Sequence, residues 1–376
     1  MKGTISVKYF GPGCLAGITL TDWLTLLAQN GFRVSPRYWA KAAFISASSV
    51  VTSILRPIET RAYHQRLQQS DPEPPIFIVG CWRSGTTHLH NLLCLDDRYA
   101  APNMYHTMYP HTFLLTESWL RPLLDSMTPR KRFMDNMPQG LQEPHEDEMA
   151  LAITTLRSNM LSWAFPHNAN RYDAYLDFAT ATDDEKMLWA EWFKKFVSKV
   201  AFKTQKRVVL KSPNHTARIQ MLHQMYPDAK FLHIRRHPCD VFRSMCHMAR
   251  KVQPVWGLQV LPPDQIPEMV IDTYRRLYDA YLDQVQFVPE THRHEIAYED
   301  LVSNPVDVLE SAYAVLSLGD FAAVKPKLEE YAAANASYQR NAHAELPPED
   351  LKRLHDQWDR FFTAWNYDLP VTETAK

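Results

Sequence analysis

The N-terminal part of the chain has the hydrophobic pattern of helices. Five apolar residues repeat at the spacing of one helix face: Leu20, Trp23, Leu24, Leu27 and Ala28. We therefore predict helices over residues 20–70. The segment 71–75 contains three prolines and ends this pattern, because proline cannot continue a helix. We expect an N-terminal helical region, residues 1–73, packed on an α/β domain, residues 74–376, whose C-terminal part is helical.

Continuous apolar runs follow, and each leads through a loop into a helical pattern. These runs are residues 76–79, 207–210 and 231–234. A run that is apolar at nearly every position suits a strand buried on both faces. Repeated strand–loop–helix units imply a parallel sheet wound with helices. The expected fold class is α/β, a parallel sheet flanked by helices, with helical extensions at both ends.

The loop at residues 80–87 has the composition of a phosphate-binding turn. The chain has only 10 glycines, and Gly80 and Gly85 both stand in this turn. Between a buried strand and a helix, the backbone N–H groups and the helix N-terminus attract an anion. The spacing matches the P-loop pattern G-x-x-x-x-G-K-[ST], but Thr86 stands in place of the lysine and Arg83 supplies the cation. We expect a P-loop-like turn that lacks the lysine of nucleoside triphosphatases.

A second group of candidate phosphate ligands follows the run at 231–234. Arg236 stands near the end of this predicted strand, and Ser244 follows eight residues later in the next helix. A guanidinium and a hydroxyl placed in this way could bind one phosphate together. Lys211 ends the run at 207–210, so we expect it at the same carboxyl edge of the sheet, where α/β folds bind ligands.

Together these motifs resemble those of sulfotransferases, of the bacterial type, that use 3′-phosphoadenosine 5′-phosphosulfate (PAPS). Residues 75–80 and 83–87 are similar to the 5′-phosphosulfate loop of the family, and the Arg–Ser pair to its 3′-phosphate site. The resemblance extends from residue 74 to about residue 310. It implies that PAPS is the donor, that adenosine 3′,5′-bisphosphate is the product and that Lys211 acts in the transition state. It implies these cofactor-binding residues: Arg83, Ser84, Gly85, Thr86, Thr87, Arg236, Ser244 and Tyr298.

For the general base, His106 is the first candidate, and His111 and an acidic cluster compete with it. Residues 102–110 are similar to a pattern of the bacterial branch, Pro-x-x-aromatic-Glu-x-x-x-Pro, with His106 at the position of the glutamate. Imidazole, with a pKa near ~6.5, is a reasonable replacement. Glu146 is the reserve, in an acidic cluster that also suits the start of a helix at Met149. We expect in-line transfer with His106 as base and with Arg83 and Lys211 supplying positive charge in place of a metal.

The composition of the chain limits which partners it can bind and indicates its cellular compartment. The 41 Lys and Arg residues are balanced by 42 Asp and Glu residues, so no overall field attracts nucleic acid. The five cysteines form no C-x-x-C pair, which favours reduced thiols and a cytoplasmic protein. The most apolar window, residues 42–55, is too short to span a bilayer. The sequence leaves two questions open. One is whether the N-terminal helices contact a membrane peripherally, and the other is the oligomeric state.

The acceptor can be predicted only as a class. The region between the motifs is rich in methionine and aromatic residues that could line an apolar pocket: Trp119, Met127, Phe133, Met134, Met137, Trp163 and Phe165. This favours a hydrophobic or lipidic alcohol over a bare sugar. Two alternatives remain: a P-loop nucleotide kinase, which the missing lysine disfavours, and a non-catalytic nucleotide-binding protein, which would need no base.

Overall fold

The computed structural model describes residues 15–126, 140–335 and 346–368. Its helices are α1 Leu20–Gln29, α2 Trp39–Gln68, α3 Thr86–Leu93, α4 Met104–Met108, α5 Phe113–Asp125, α6 Glu148–Thr155, α7 Leu161–Ala164, α8 Ala169–Asp177, α9 Asp183–Thr204, α10 Ile219–Met225, α11 Pro238–Trp256, α12 Ile266–Gln284, α13 Tyr298–Ser303, α14 Pro305–Leu316, α15 Lys325–Asn335 and α16 Pro348–Ala364. Its strands are β1 Ile76–Val79, β2 Tyr99–Ala100, β3 Arg207–Lys211, β4 Lys230–Arg235 and β5 Arg293–Ala297.

The strands form one sheet in the order β2-β3-β1-β4-β5. The β1–β4, β4–β5 and β2–β3 pairs are parallel, with Phe77 opposite Phe231 in the first. All four residues of β1 are buried, and the rings of Phe77 and Phe231 stack with their centroids 5.1 Å apart. The predicted α/β class, with a parallel sheet and flanking helices, is confirmed.

The chain divides into two compact units, and the first is made of Met1–Pro74, Arg98–Leu210 and Arg250–Pro262. Its apolar core joins the N-terminal helices to α6, α7 and α8, through residues that include Trp23, Leu26, Tyr38, Ile45, Ile153, Leu161, Phe165 and Tyr172. The Asn30 side chain donates a 2.6 Å hydrogen bond to the hydroxyl of Tyr172 within this unit. The N-terminal helices are therefore an integral part of its core.

Two buried polar contacts fix the inner face of α2 within the first unit. Lys41 donates from Nζ to the carbonyl oxygens of Val255 and Gly257 at the C-terminal end of α11. A cation is favourable there because terminal helix carbonyls carry partial negative charge. Glu59 pairs with Lys199 of α9 at 2.5 Å, and both side chains are buried. Burial lowers the pKa of Lys199 to about 8, although Glu59 opposes the shift.

The second unit is made of Pro75–Asp97, Lys211–Ala249 and Pro263–Lys376. It contains the β1-β4-β5 part of the sheet and the helical C-terminal part of the chain. Helix α16 packs on α12: the rings of Trp358 and Tyr274 stack at 3.9 Å, and the Trp358 indole donates to the carbonyl of Ile271 at 3.1 Å. The predicted helical C-terminal extension is thus present.

Among the described residues, no helix is long and apolar enough to cross a membrane. The described cysteines are all free: Cys81, Cys94, Cys239 and Cys246. Burial raises the pKa of the Cys94 thiol to about 12 and that of Cys239 to about 11. These thiols are therefore protonated at neutral pH and act as small apolar groups.

Candidate functional site

Backbone shape at the loop after β1 depends on two glycines. Gly80 and Gly85 have φ angles of 143° and 104°, which side-chain-bearing residues rarely adopt. A Cβ added to Gly80 would overlap the carbonyl oxygen of Ile234, and one added to Gly85 would overlap the ring of Tyr298. Arg83 also has a positive φ, at 69°. The loop therefore holds its cation in a conformation that an arginine seldom occupies.

Hydrogen bonds from the surrounding unit hold the first half of this loop. The backbone N–H of Gly80 donates to Thr216 Oγ1 at 2.7 Å, and that of Cys81 donates to the Tyr278 hydroxyl at 3.0 Å. The buried Ser84 hydroxyl donates to the carbonyl of Cys81 at 2.7 Å, so it stabilises the turn from within.

The second half of the loop runs into the N-terminus of α3. The first hydrogen bond of α3 runs from the N–H of Leu89 to the Gly85 carbonyl. The N–H groups of Thr86 and Thr87 come before it, so they have no acceptor within the helix. Thr86 is almost fully buried at the start of this helix. Free helix N–H groups, a dipole end and threonine hydroxyls form an anion-binding set of donors.

The two phosphate motifs meet inside the second unit. Arg83 donates from Nε to the Ser244 hydroxyl at 2.9 Å. Arg236 donates from Nη1 to the Arg83 carbonyl at 3.1 Å, and its guanidinium lies 4.4 Å from the centre of the Tyr298 ring. The same ring lies against Gly85. The structure thus brings together five of the residues proposed from sequence, from three separate stretches of the chain.

Arg236 retains binding capacity for a ligand. Its Nε atom is buried and has no hydrogen-bond partner in the described structure. Asp240 lies 3.6 Å from another of its nitrogens and also pairs with Arg243. Burial alone would raise the pKa of Asp240, but the hydrogen bond from Arg243 and the charge of Arg236 lower it. Asp240 is therefore ionised and holds both arginines beside the Ser244 helix.

Lys211 is the last residue of β3 and is buried. The segment that follows it, residues 213–218, supplies Thr216 to the backbone of Gly80. The segment after Lys211 therefore contacts the P-loop-like turn, and the role of Lys211 itself stays a prediction. Sequence reasoning missed Thr216 and Tyr278, since no motif marks a residue that only supports a loop.

His106 lies in the first unit, on the short helix α4, and both its ring nitrogens have partners. Nδ1 accepts a long hydrogen bond of 3.4 Å from the backbone N–H of Asn103, and Nε2 lies 3.2 Å from Glu117 Oε2. Burial lowers the pKa of His106, although Glu117 opposes the shift. Burial alone would raise the pKa of Glu117, but His106, Asn103 and Lys203 lower it to about 2. A neutral imidazole therefore faces an ionised carboxylate.

Glu146 lies on the segment that runs beside α4. The N–H of His145 donates to the Pro102 carbonyl at 2.9 Å, and the Thr107 hydroxyl lies 2.8 Å from His145 Nδ1. Both base candidates therefore belong to adjacent segments of the first unit. Glu146 itself is half-buried, whereas the next two carboxylates, Asp147 and Glu148, are fully buried. The acidic cluster is thus not a solvated charge run.

The residues expected to line an acceptor pocket do not form one group in the described structure. Phe165 belongs to the core of the first unit, and Trp119 is exposed. Four of them lie outside the described residues: Met127, Phe133, Met134 and Met137. Within the described ranges, no group of three or more His, Cys, Asp or Glu side chains is arranged to hold a metal ion.

Comparison with known proteins is consistent with this geometry. The model of the sulfotransferase family matches residues 74–322. The chain is 36% identical over 361 residues to omega-hydroxy-beta-dihydromenaquinone-9 sulfotransferase Stf3 of Mycobacterium bovis, covering 96% of this chain and 92% of the relative. The Mycobacterium tuberculosis Stf3 matches equally well, at 36% identity over the same shares of both chains.

Solved structures share the fold. Sulfotransferase STF9 from Mycobacterium avium superposes with a TM-score of 0.67 at 16% identity, covering 94% of this chain and 98% of that one. Sulfotransferase STF1 from Mycobacterium tuberculosis gives a TM-score of 0.63 at 20% identity, covering 89% and 88%. A family match along about two-thirds of the chain and a relative aligned over nearly all of it give the same answer: the chain belongs to the sulfotransferase family.

Proposed function

We propose that this sulfotransferase moves a sulfuryl group from PAPS to the hydroxyl of a lipid-like alcohol. The observation that carries the proposal is the 2.9 Å hydrogen bond between Arg83 and Ser244. It joins the loop suited to a 5′-phosphosulfate to the pair suited to a 3′-phosphate. One nucleotide that carries phosphate at both ends matches such a paired site, whereas a nucleoside triphosphate would need the lysine that Thr86 replaces.

The residues present fit PAPS. The glycines at 80 and 85 keep side chains out of the turn, and the N-terminus of α3 presents free N–H donors to a 5′-phosphate. The unpartnered Nε of Arg236 and the buried Ser244 hydroxyl suit a 3′-phosphate. The Tyr298 ring lies against the Arg236 guanidinium and against Gly85, which supports a role for Tyr298 in binding the nucleotide.

Positive charge is the main catalytic contribution of the second unit. When bound, PAPS supplies an activated sulfuryl group, and its transfer resembles phosphoryl transfer in needing mainly positioning and charge stabilisation. Arg83 binds the 5′-phosphate and the developing charge on its bridging oxygen. Lys211, buried at the end of β3, stabilises the transferring group. With two cations in these roles we propose a reaction without a metal ion.

For the base we propose His106, oriented by Glu117. With the proton on Nε2 pointing to the Glu117 carboxylate, the lone pair of Nδ1 is available to accept a proton. Nδ1 must then exchange its long 3.4 Å hydrogen bond from Asn103 for one from the acceptor hydroxyl. The lowered pKa of His106 keeps it in the neutral form that a base requires.

The acceptor class follows from the relatives and from the sequence. The Stf3 proteins are named for an omega-hydroxy-beta-dihydromenaquinone-9, a hydroxyl on an apolar molecule. We propose an acceptor of the same character, a long apolar alcohol, and therefore a peripheral encounter with a membrane. The free thiols and the formal charge of −1 fit a cytoplasmic enzyme that does not bind nucleic acid.

The proposed function predicts transfer from PAPS to long-chain or prenyl alcohols and not to free sugars. Labelled PAPS with a panel of lipid, steroid, phenol and sugar acceptors measures this directly, and EDTA should leave the rate unchanged. Consumption of ATP with no turnover of PAPS would instead support the kinase alternative. Binding of adenosine 3′,5′-bisphosphate with no transfer to any acceptor would support a non-catalytic protein.

A second prediction concerns the 3′-phosphate. Adenosine 5′-phosphosulfate, which lacks this phosphate, should bind ~10- to 1000-fold more weakly than PAPS, because each charged hydrogen bond is worth about 1.5–3 kcal/mol. The Arg236→Ala variant should remove most of this discrimination, whereas the control Arg275→Ala, a half-buried arginine on α12 that pairs with Asp272, should keep it. Equal binding of both nucleotides by the wild type, measured by calorimetry, would contradict the assignment of Arg236 and Ser244.

A third prediction separates catalysis from helix capping at His106. His106→Gln can keep the side-chain acceptor for the Asn103 N–H, so it should fold normally yet lose ~10²–10⁴-fold in kcat. Wild-type kcat should fall as the pH drops below 6.5 through the lowered pKa, because protonation removes the lone pair. Normal turnover in His106→Gln, with loss in Glu146→Gln, would move the base to Glu146. Nucleotide affinity should be unchanged in both variants.

A further inference from the structure

The outer face of α2 carries a strip of exposed apolar side chains. Phe44, Val51, Ile54 and Ile58 are 43%, 54%, 61% and 49% exposed. At 3.6 residues per turn these positions fall on one side of the helix, and at 1.5 Å per residue they extend over about 21 Å. We call these four residues the α2 strip.

Exposed apolar residues are concentrated in this part of the chain. Of thirteen exposed large apolar side chains among the described residues, eight lie between Leu24 and Ile58. Trp39, at the start of α2, is 63% exposed, and Phe32 is 62% exposed. Single exposed apolar residues are normal on protein surfaces, but a concentration of them marks an interaction surface.

Hydrogen bonds and an ion pair hold the other face of α2 against its neighbours. Ser46 accepts a 2.9 Å hydrogen bond from the Trp23 indole of α1, and Glu59 is paired with Lys199. Lys41 is bound to the carbonyls at the end of α11. Rotating the helix to bury the α2 strip would break all of these contacts. The strip therefore faces outward because the fold holds it there.

The exposed charged side chains nearest to the α2 strip in the sequence are all basic. Between Asp22 and Glu59 the sequence contains no acidic residue, and Glu59 is buried in its ion pair. Arg33 and Arg37 are exposed near the start of α2, and Arg61, one turn beyond the strip, is exposed on the same side of the helix. An apolar helix face with cations beside it matches the interface of an anionic bilayer.

We propose that the α2 strip docks this enzyme on the surface of an anionic lipid bilayer, with α2 lying in the plane of the interface. The proposal rests on the proposed function, because a long apolar alcohol is itself held in a membrane. Docking by the strip would bring the enzyme to the surface that contains its acceptor. A second copy of the chain is a poorer occupant, because it would bring the same cations and no facing carboxylates.

The test is flotation of the full-length protein with vesicles of phosphatidylcholine alone or with 30% phosphatidylglycerol. Wild-type protein should float with the anionic vesicles, and high salt should weaken binding, since salt screens the arginines. The double variant Val51→Asp/Ile54→Asp should bind at least ~10-fold more weakly, because both exposed side chains lose their apolar contact with lipid. Met187→Asp, which changes a 60% exposed residue on α9, is the matched control and should float like the wild type.

Three outcomes would overturn the proposal. In the first, the double variant floats as well as the wild type, and in the second, the wild type does not float at all. In the third, sedimentation shows a wild-type dimer that the double variant loses, with no vesicle binding by either, so that the strip joins two copies. Melting temperatures should match between all variants, since the substituted side chains are exposed.

Activity separates this proposal from the proposed function. The double variant should transfer sulfuryl groups at the wild-type rate to a short alcohol in solution and ~10-fold more slowly to a lipid alcohol in anionic vesicles. Equal rates of the two proteins on the vesicle substrate would contradict docking by the strip. If the wild type floats but transfers to neither alcohol, the proposed function fails while the docking surface stands.

Discussion

The hydrogen bond between Arg83 and Ser244 is the contact on which the candidate site depends. It joins a loop after β1 to a helix after β4, two stretches 161 residues apart in the chain. The neighbouring strands β1 and β4 pair in parallel, so their carboxyl ends lie at the same edge of the sheet. Both phosphate motifs follow such ends. The sheet register therefore determines the spacing between the two predicted phosphate positions.

Glycine makes this contact possible, and a network of supporting side chains makes it rigid. Gly85 leaves room for Tyr298, and the Tyr298 ring in turn supports Arg236. Thr216 and Tyr278 hold the backbone of the turn so that Arg83 keeps its positive φ angle. Strain at a binding loop persists only where the surrounding structure imposes it. Here the second unit provides that support through hydrogen bonds to the loop backbone.

Much of the second unit could be predicted from sequence because its signals are local. An apolar run, a glycine-containing turn and a helical pattern are each read from a few neighbouring residues, and together they predicted β1, the loop and α3. In the first unit, the β2 strand, only Tyr99–Ala100, was not predicted because two residues show no alternation. Thr216 and Tyr278 were missed because their role depends on packing between distant segments.

The first unit shows where sequence reasoning stops. His106 was selected from its place in a motif, but its hydrogen bond to Glu117 depends on how α4 and α5 pack together. The acidic cluster predicted a helix start, and α6 does begin at Glu148, but nothing in the pattern indicated that Asp147 and Glu148 are buried. Burial depends on which segments pack together, and a charge pattern alone does not contain that information.

The central claim is that one nucleotide connects the two phosphate motifs of the second unit. A crystal structure of the enzyme with adenosine 3′,5′-bisphosphate tests it most directly. The account predicts the 5′-phosphate on the N–H groups of residues 85–87 and the 3′-phosphate within hydrogen-bond distance of Arg236 and Ser244. A nucleotide bound elsewhere, or one whose 3′-phosphate faces solvent while the 5′-phosphate occupies the loop, would contradict it.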